Sequence, residues 1–166
     1  MVERSVYIET SVFSYLAARP SRDLVVAAKQ QTTRDWWDMR RHRFGLYVSQ
    51  TVVDEAADGD ADAARERLER LSGIPLLEAS TDTKQLARAL VQERILPRKA
   101  AADAVHIALA AVHGVDILLT WNCTHLANAE ILVDVRRLIA SCGYEPPIIC
   151  TPDELMGDQP WQTIPS

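Results

Sequence analysis

The chain has 166 residues, of which 48% are hydrophobic and 25% charged, an ordinary composition for one globular domain long enough to bury a core. Its net charge of −5 excludes a global positive field that would draw it to nucleic acid, so any basic contact with a polyanion has to be local. Three cysteines, Cys123, Cys142 and Cys150, are an odd number without a CxxC pair. That argues against a disulfide framework or a zinc site and for a reducing, cytoplasmic setting. No run approaches the roughly 18 apolar residues of a membrane span, and MVERSVYIET lacks the apolar core of a signal peptide.

Along the chain the apolar period alternates between strand-like and helix-like. Ser5–Ile8 is a β-branched and aromatic run that reads as a buried strand. Ser11 is a good N-cap and predicts a helix that ends at Pro20. Residues 23 to about 42 are helical in pattern, with Leu24, Val25, Ala28, Thr32, Trp36 and Met39 near one face. Leu46–Ser49 is a second strand, followed by a helix from about Thr51. Ala61–Leu71 is a charged helix with a solvated face, stopped by Gly73. Ile74–Leu77 is a third strand, and Thr81 and Asp82 open a helix that carries Leu86 and Leu90. Pro97 breaks the pattern before an alanine-rich helix over Ala100–His113, ended by Gly114. Ile117–Trp121 is the strongest strand. A helix over Ala127–Ser141 stops at Gly143, and Pro147–Cys150 is the last strand. Residues 1–156 read as one domain and 157–166 as a loose tail. Strands alternating with helices predict an α/β fold with a parallel sheet.

Such a sheet gathers its functional groups beyond the carboxyl ends of its strands. Glu9 directly follows the first strand, Glu55 lies in the first turns after the second, and Asn122 directly follows the strongest. Asp103 opens a helix that precedes its strand, so it reaches the same edge only if that helix begins there. Taken singly, each acid is equally well a charge favoured at a helix N-terminus. Taken together they predict one site. Three carboxylates and an amide oxygen suit a hard divalent cation, Mg²⁺ or Mn²⁺, rather than zinc. Such an ion would activate water for attack on a phosphodiester and stabilise the developing charge. Other acids fit less well. Asp116 precedes its strand, Asp54 points a quarter turn from Glu55, and Asp153 and Glu154 belong to a Thr151-capped helix start.

Four segments carry a resemblance. VYIETSVFSYL, YVSQTVVDEA, AAADAVHIALAAVHGVDILLTWNCTHL and PIICTPDEL resemble, in order, the blocks of PIN-domain proteins of the kind found as VapC-like toxins in toxin–antitoxin pairs. The third block is the most specific. The resemblance implies a three-layer α/β/α sandwich and a Mg²⁺- or Mn²⁺-dependent endoribonuclease, with Glu9, Glu55, Asp103 and Asn122 as its acidic quartet. It also implies an RNA substrate, a small antitoxin partner and a homodimer, for which the aromatic-containing helix over residues 23–42 is the candidate face. Two positions depart from the family's usual pattern, Glu9 for Asp and Asn122 for Asp. The first lengthens a ligand, and the second removes a charge while keeping a carbonyl that can ligate or orient water.

Around the quartet, Thr10, Ser11 and Thr120 offer hydroxyls to Glu9 or to a substrate phosphate. Arg98 and Lys99 precede the Asp103 helix and are the best candidates for phosphate contact, with Arg19 and Arg22 weaker. His106 reads as a packed or hydrogen-bonded residue rather than a catalytic one. His125 reads as either a substrate contact or a surface residue. Trp36, Trp37 and Trp121 read as core or interface rather than as platforms for bases. Two other functions compete: a related nuclease acting in RNA maturation or on structured DNA, and a PIN-fold binding module that does not cleave.

Overall fold

A computed structural model of the protein describes residues 3–157. Apart from Gly157, the expected tail lies outside the described residues. The chain runs β1 (Arg4–Ile8), α1 (Thr10–Ala17), α2 (Leu24–Met39), β2 (Phe44–Ser49), α3 (Gln50–Ala56), α4 (Ala61–Leu71) and β3 (Leu76–Leu77). It continues through α5 (Thr81–Gln92), α6 (Ala101–Val112), β4 (Ile117–Leu119), α7 (Ala129–Ser141) and β5 (Ile148–Cys150). Short 3₁₀ turns cover Arg41–Arg43, Arg98–Ala100 and Pro152–Leu155.

The five strands form one sheet in the order β3-β2-β1-β4-β5, and every pair is parallel. Parallel neighbours need a crossover, and crossovers are right-handed. The chain moves from β1 outward to β3 and then jumps back to β4, so its early and late helices cover opposite faces. The packing agrees: α1 lies against α2, α3 and α4, while α5 lies against α6 and α7. The result is a three-layer α/β/α sandwich, as expected. The central strands β1 and β4 are buried on both faces, and Val6, Tyr7, Ile8, Leu118 and Leu119 are all fully enclosed. Each such aliphatic side chain contributes roughly 1.5–3 kcal/mol of burial.

The strand order reverses direction between β1 and β4. Their register, Ile8 opposite Leu119, puts Glu9 beside Thr120 at the carboxyl edge of that seam. Crevices at such a switch point are where ligands bind in open α/β sheets.

Several expectations change in detail. Helix α1 begins at Thr10, and its N-cap is Glu9, whose carboxylate accepts from the Ser11 N–H at 3.1 Å. Ser11 is therefore inside the helix and is not its cap. Glutamate is an unusual cap, but one more methylene than aspartate lets it fold back on the first turn. Strand β4 ends at Leu119, although the Thr120 N–H still donates to the Cys150 carbonyl at 3.0 Å, and beyond it the Trp121 N–H bonds Ser11 of α1 instead of the sheet. Strand β3 keeps only Leu76–Leu77 of the expected run.

Helix α2 buries a different face from the one its apolar residues suggest. Gln30, Thr33, Trp36 and Trp37 are buried, whereas Leu24, Val25 and Met39 are 86%, 65% and 59% exposed. The buried polar pair is satisfied. Gln30 donates to the Arg19 carbonyl at 2.9 Å and accepts from the Ser21 N–H at 2.9 Å. Thr33 donates to the Lys29 carbonyl at 2.6 Å and accepts from the Trp121 indole N–H at 2.8 Å. The aromatic residues of α2 thus face inward, and its exposed apolar residues are aliphatic or thioether. Among the described residues no helix is long and apolar enough to cross a membrane.

Candidate active site

Glu9 is nearly buried at the end of β1. All three of its hydrogen bonds converge on Oε2. The Ser11 N–H donates at 3.1 Å, the Thr120 hydroxyl at 2.7 Å, and the Ser11 hydroxyl also donates. Both hydroxyl oxygens are themselves held by backbone. Trp121 N–H donates to Ser11 Oγ at 2.8 Å, and Asn122 N–H donates to Thr120 Oγ1 at 2.9 Å. Hydroxyls that accept a backbone proton must turn their own proton elsewhere, and here both turn it to the carboxylate. Thr10 faces the other way and donates to Glu55 Oε1 at 2.9 Å.

Glu55, on α3, also meets His106 Nε2 at 2.7 Å through the same Oε1. His106 is fully buried on α6, and its Nδ1 lies 2.7 Å from the Tyr7 hydroxyl. Tyr7 in turn lies 2.7 Å from Ser49 Oγ at the end of β2. Burial opposes ionising Glu55. The hydrogen bond from His106, the positive charge of that ring and then the hydrogen bond from Thr10 together outweigh it, and the carboxyl is held below its usual 4.5. Burial pushes the Tyr7 phenol well above its ordinary value. The charges of Glu9 and Glu55 add to that, only the Ser49 hydrogen bond opposes it, and the ring keeps its proton.

Asp103 does reach the same edge. Helix α6 begins there, and Asp103 Oδ1 accepts from the Asn122 amide at 3.1 Å. Its Oδ2 meets His125 Nδ1 at 3.1 Å. The Asn122 carbonyl oxygen accepts from the Thr124 N–H at 3.2 Å and the His125 N–H at 3.1 Å. Both of its lone pairs are thereby occupied. Asn122 thus serves Asp103 as a donor while its oxygen closes a local turn, so in this arrangement its carbonyl is not offered as a ligand.

The predicted set is therefore brought to one edge: hydrogen bonds join Glu9 through Thr120 to Asn122 and Asp103, and Glu55 is bonded to Thr10, the chain neighbour of Glu9. Arg98 and Lys99 are exposed on the 3₁₀ turn that leads into α6. Among the described residues neither makes a hydrogen bond to the quartet. Of the rejected acids, Asp116 lies at the opposite edge, bonded to Ser5. Asp54 accepts from Gln50 on the surface at 2.8 Å. Glu154 accepts from the Thr151 N–H at 3.3 Å, in a turn of its own.

Four neighbours escaped the sequence reading as members of the site. Tyr7 and Ser49 complete the His106 chain, and Tyr15 and Lys29 flank Trp121. The Tyr15 and Trp121 ring centroids are 5.6 Å apart, and the Lys29 ammonium lies 5.3 Å from the indole centroid. Tyr7 carries a legible signal, because a phenol inside a fully buried strand has to find a polar partner. Nothing in the local sequence marks Lys29.

Among the described residues no hydrogen bond reaches Glu9 Oε1 or Glu55 Oε2. Two open carboxylate oxygens at one edge fit a cation that binds through one or two carboxylates and keeps several waters, as Mg²⁺ does. They do not make a closed cage, since among the described residues no three His, Cys, Asp or Glu side chains stand together to hold an ion. No protein-family model matches this chain, and none of the curated proteins matches it in sequence.

Proposed function

We propose that the chain is a metal-dependent phosphodiesterase. In particular, we infer a Mg²⁺- or Mn²⁺-dependent endoribonuclease of the PIN-domain, VapC-like kind, the toxin of a pair whose partner is a small antitoxin. The observation that supports this reading is that Glu9, Glu55 and Asp103 lie along one edge of the sheet, linked through Thr10, Thr120 and Asn122, with Glu9 Oε1 and Glu55 Oε2 left open. When bound, a hard divalent ion would supply Lewis acidity toward a phosphoryl oxygen and a more acidic water. The residues would have separate tasks. Glu9 and Glu55 would present oxygens to the ion, while Ser11 and Thr120 hold Glu9 in place. Asp103, gripped by Asn122 and His125, would accept a proton from or orient the attacking water. Arg98, Lys99 and Lys29 are the local cations that a chain of net charge −5 needs to hold an RNA backbone. Leu24 and Val25, exposed at the start of α2, are the surface we assign to a homodimer contact.

The test is cleavage of RNA with Mn²⁺ or Mg²⁺, with and without EDTA, beside Asp103→Asn. We expect EDTA to abolish cleavage. Asp103→Asn should lower the rate by more than the roughly 10–100-fold typical of changing a group that only supports a ligand. Equal cleavage by wild type and variant would remove the mechanism.

A second reading, a PIN-fold binding module without cleavage, is favoured by the occupied carbonyl of Asn122. It would prevail if the wild type neither cleaves RNA nor binds Mn²⁺. A nuclease acting in RNA maturation or on structured DNA would cleave those substrates in preference to unstructured RNA.

A further inference from the structure

The chain Ser49–Tyr7–His106–Glu55 crosses the sheet from the end of β2, through the middle of β1, to α6 and back to α3. Its three links are each 2.7 Å, and Tyr7, Ser49 and His106 are all buried. The direction of each proton follows from what each group can do. A carboxylate only accepts, so His106 carries its proton on Nε2 and donates it to Glu55. Ser49 Oγ accepts from the Val52 N–H at 3.3 Å as the cap of α3, which turns its own proton toward Tyr7. The Tyr7 hydroxyl then donates to His106 Nδ1. Every donor has an acceptor in this order.

We propose that His106, its Nε2–H aimed at Glu55 by the Tyr7–Ser49 chain on its other nitrogen, is a positioning residue that fixes Glu55 Oε1 and leaves Oε2 facing the carboxyl edge of the sheet. The orientation comes from two donors on one oxygen. His106 at 2.7 Å and Thr10 at 2.9 Å both engage Oε1 from groups fixed in helices. A glutamate anchored at one oxygen presents the other in a single direction. That lowers the ordering cost of taking up an ion, in the way supporting hydrogen bonds orient ligands elsewhere. The use of Oε2 for an ion rests on the function proposed above, whereas the tautomer and the anchoring of Oε1 do not.

The experiment compares wild type, Tyr7→Phe and Ile139→Ala. Ile139 is a fully buried residue near the far end of α7, at the opposite edge of the sheet, and controls for lost stability alone. All three are studied at a temperature where melting curves show them folded. ¹⁵N resonances of the ring report the tautomer, and Mn²⁺ alone is titrated by calorimetry. Wild type should carry a proton on Nε2. Tyr7→Phe should mix the tautomers and weaken Mn²⁺ about 10-fold, and Ile139→Ala should change neither. A wild-type ring with its proton on Nδ1 alone overturns the proposal, as does unchanged Mn²⁺ affinity in Tyr7→Phe. If the wild type binds no Mn²⁺, the metal reading fails separately. The Glu55 carboxyl ¹³C resonance then decides: displaced by Tyr7→Phe it sustains the positioning role, and unmoved it ends it.

Discussion

Ser5 and Asp116 clamp β1 to β4 at the edge of the sheet away from the site. The Ser5 N–H and hydroxyl donate to Asp116 Oδ2 at 2.8 and 2.9 Å, and the Asp116 N–H donates to Ser5 Oγ at 2.9 Å. The backbone bond from Ser5, then its hydroxyl, hold the Asp116 carboxyl below its ordinary 3.8, with Arg4 adding a little and slight burial opposing. A depressed carboxyl contributes stability above its unfolded value and loses it as pH falls through the folded one. Ser5→Ala removes the hydroxyl and keeps the backbone bond. We therefore expect a lower melting temperature than wild type above about pH 4, with the gap narrowing in acid to what the lost bond from the Asp116 N–H leaves. A gap that persists unchanged at pH 2 would contradict this. Asp116 is a residue whose place the sequence discloses, because an acid before a strand cannot lie beyond its carboxyl end. The Tyr7–His106–Glu55 chain is not disclosed. Its partners are 99 and 51 residues apart, and a strand buried on both faces has no alternation to say where Tyr7 points. Asn122 stands between these cases. Its place after β4 is legible, and so in principle is its turn, since Asn readily bonds the backbone two residues on.

Three helices end in the same motif, and one of them uses the wrong residue. In α6 and α7 the left-handed position is Gly114 (φ 65°) and Gly143 (φ 87°). Their N–H groups donate to Ala111 and Ala140, and the next residues, Val115 and Tyr144, donate to Ala110 and Ile139. Helix α5 repeats these bonds, from Arg94 to Val91 and from Ile95 to Leu90, but Arg94 takes φ 58° with a side chain attached. A left-handed residue other than glycine costs about 1–2 kcal/mol, partly offset by glycine's greater freedom when unfolded. Arg94→Gly should therefore raise stability by about 0.5–1 kcal/mol in urea unfolding, and a loss would show that the Arg94 side chain makes a compensating contact. Glycine stops were visible in the sequence for α6 and α7, while α5 ended only where Pro97 forced it to. The buried face of α2 was hidden for a related reason. Gln30 and Thr33 are enclosed because their polar atoms find partners far along the chain or on the helix itself, and hydrophobic periodicity has no way to count that.

For the whole molecule, the alternation of strands and helices was enough to name an α/β fold with a parallel sheet, and the three-layer sandwich was an expectation from the resemblance. It did not yield the strand order, which is set by contacts between segments remote in sequence. That order makes β1 the centre, paired with β2 on one side and β4 on the other. The amides of Val6, Tyr7 and Ile8 should exchange with deuterium only through global unfolding, and those of the two-residue edge strand Leu76–Leu77 much sooner. Equal protection would mean that the sheet does not open from its edges.

The same central place has a consequence during synthesis. Glu9 and Thr120 are 111 residues apart. At ordinary elongation rates roughly 6–20 s separate their translation. For that time β1 can pair with β2 but presents an open ladder on its other side, and Glu9 has no Thr120 hydroxyl to receive. A ribosome stalled before β4 would hold a chain with half a sheet and no site. The centre of the molecule is begun with β1 and completed only once β4 has been made.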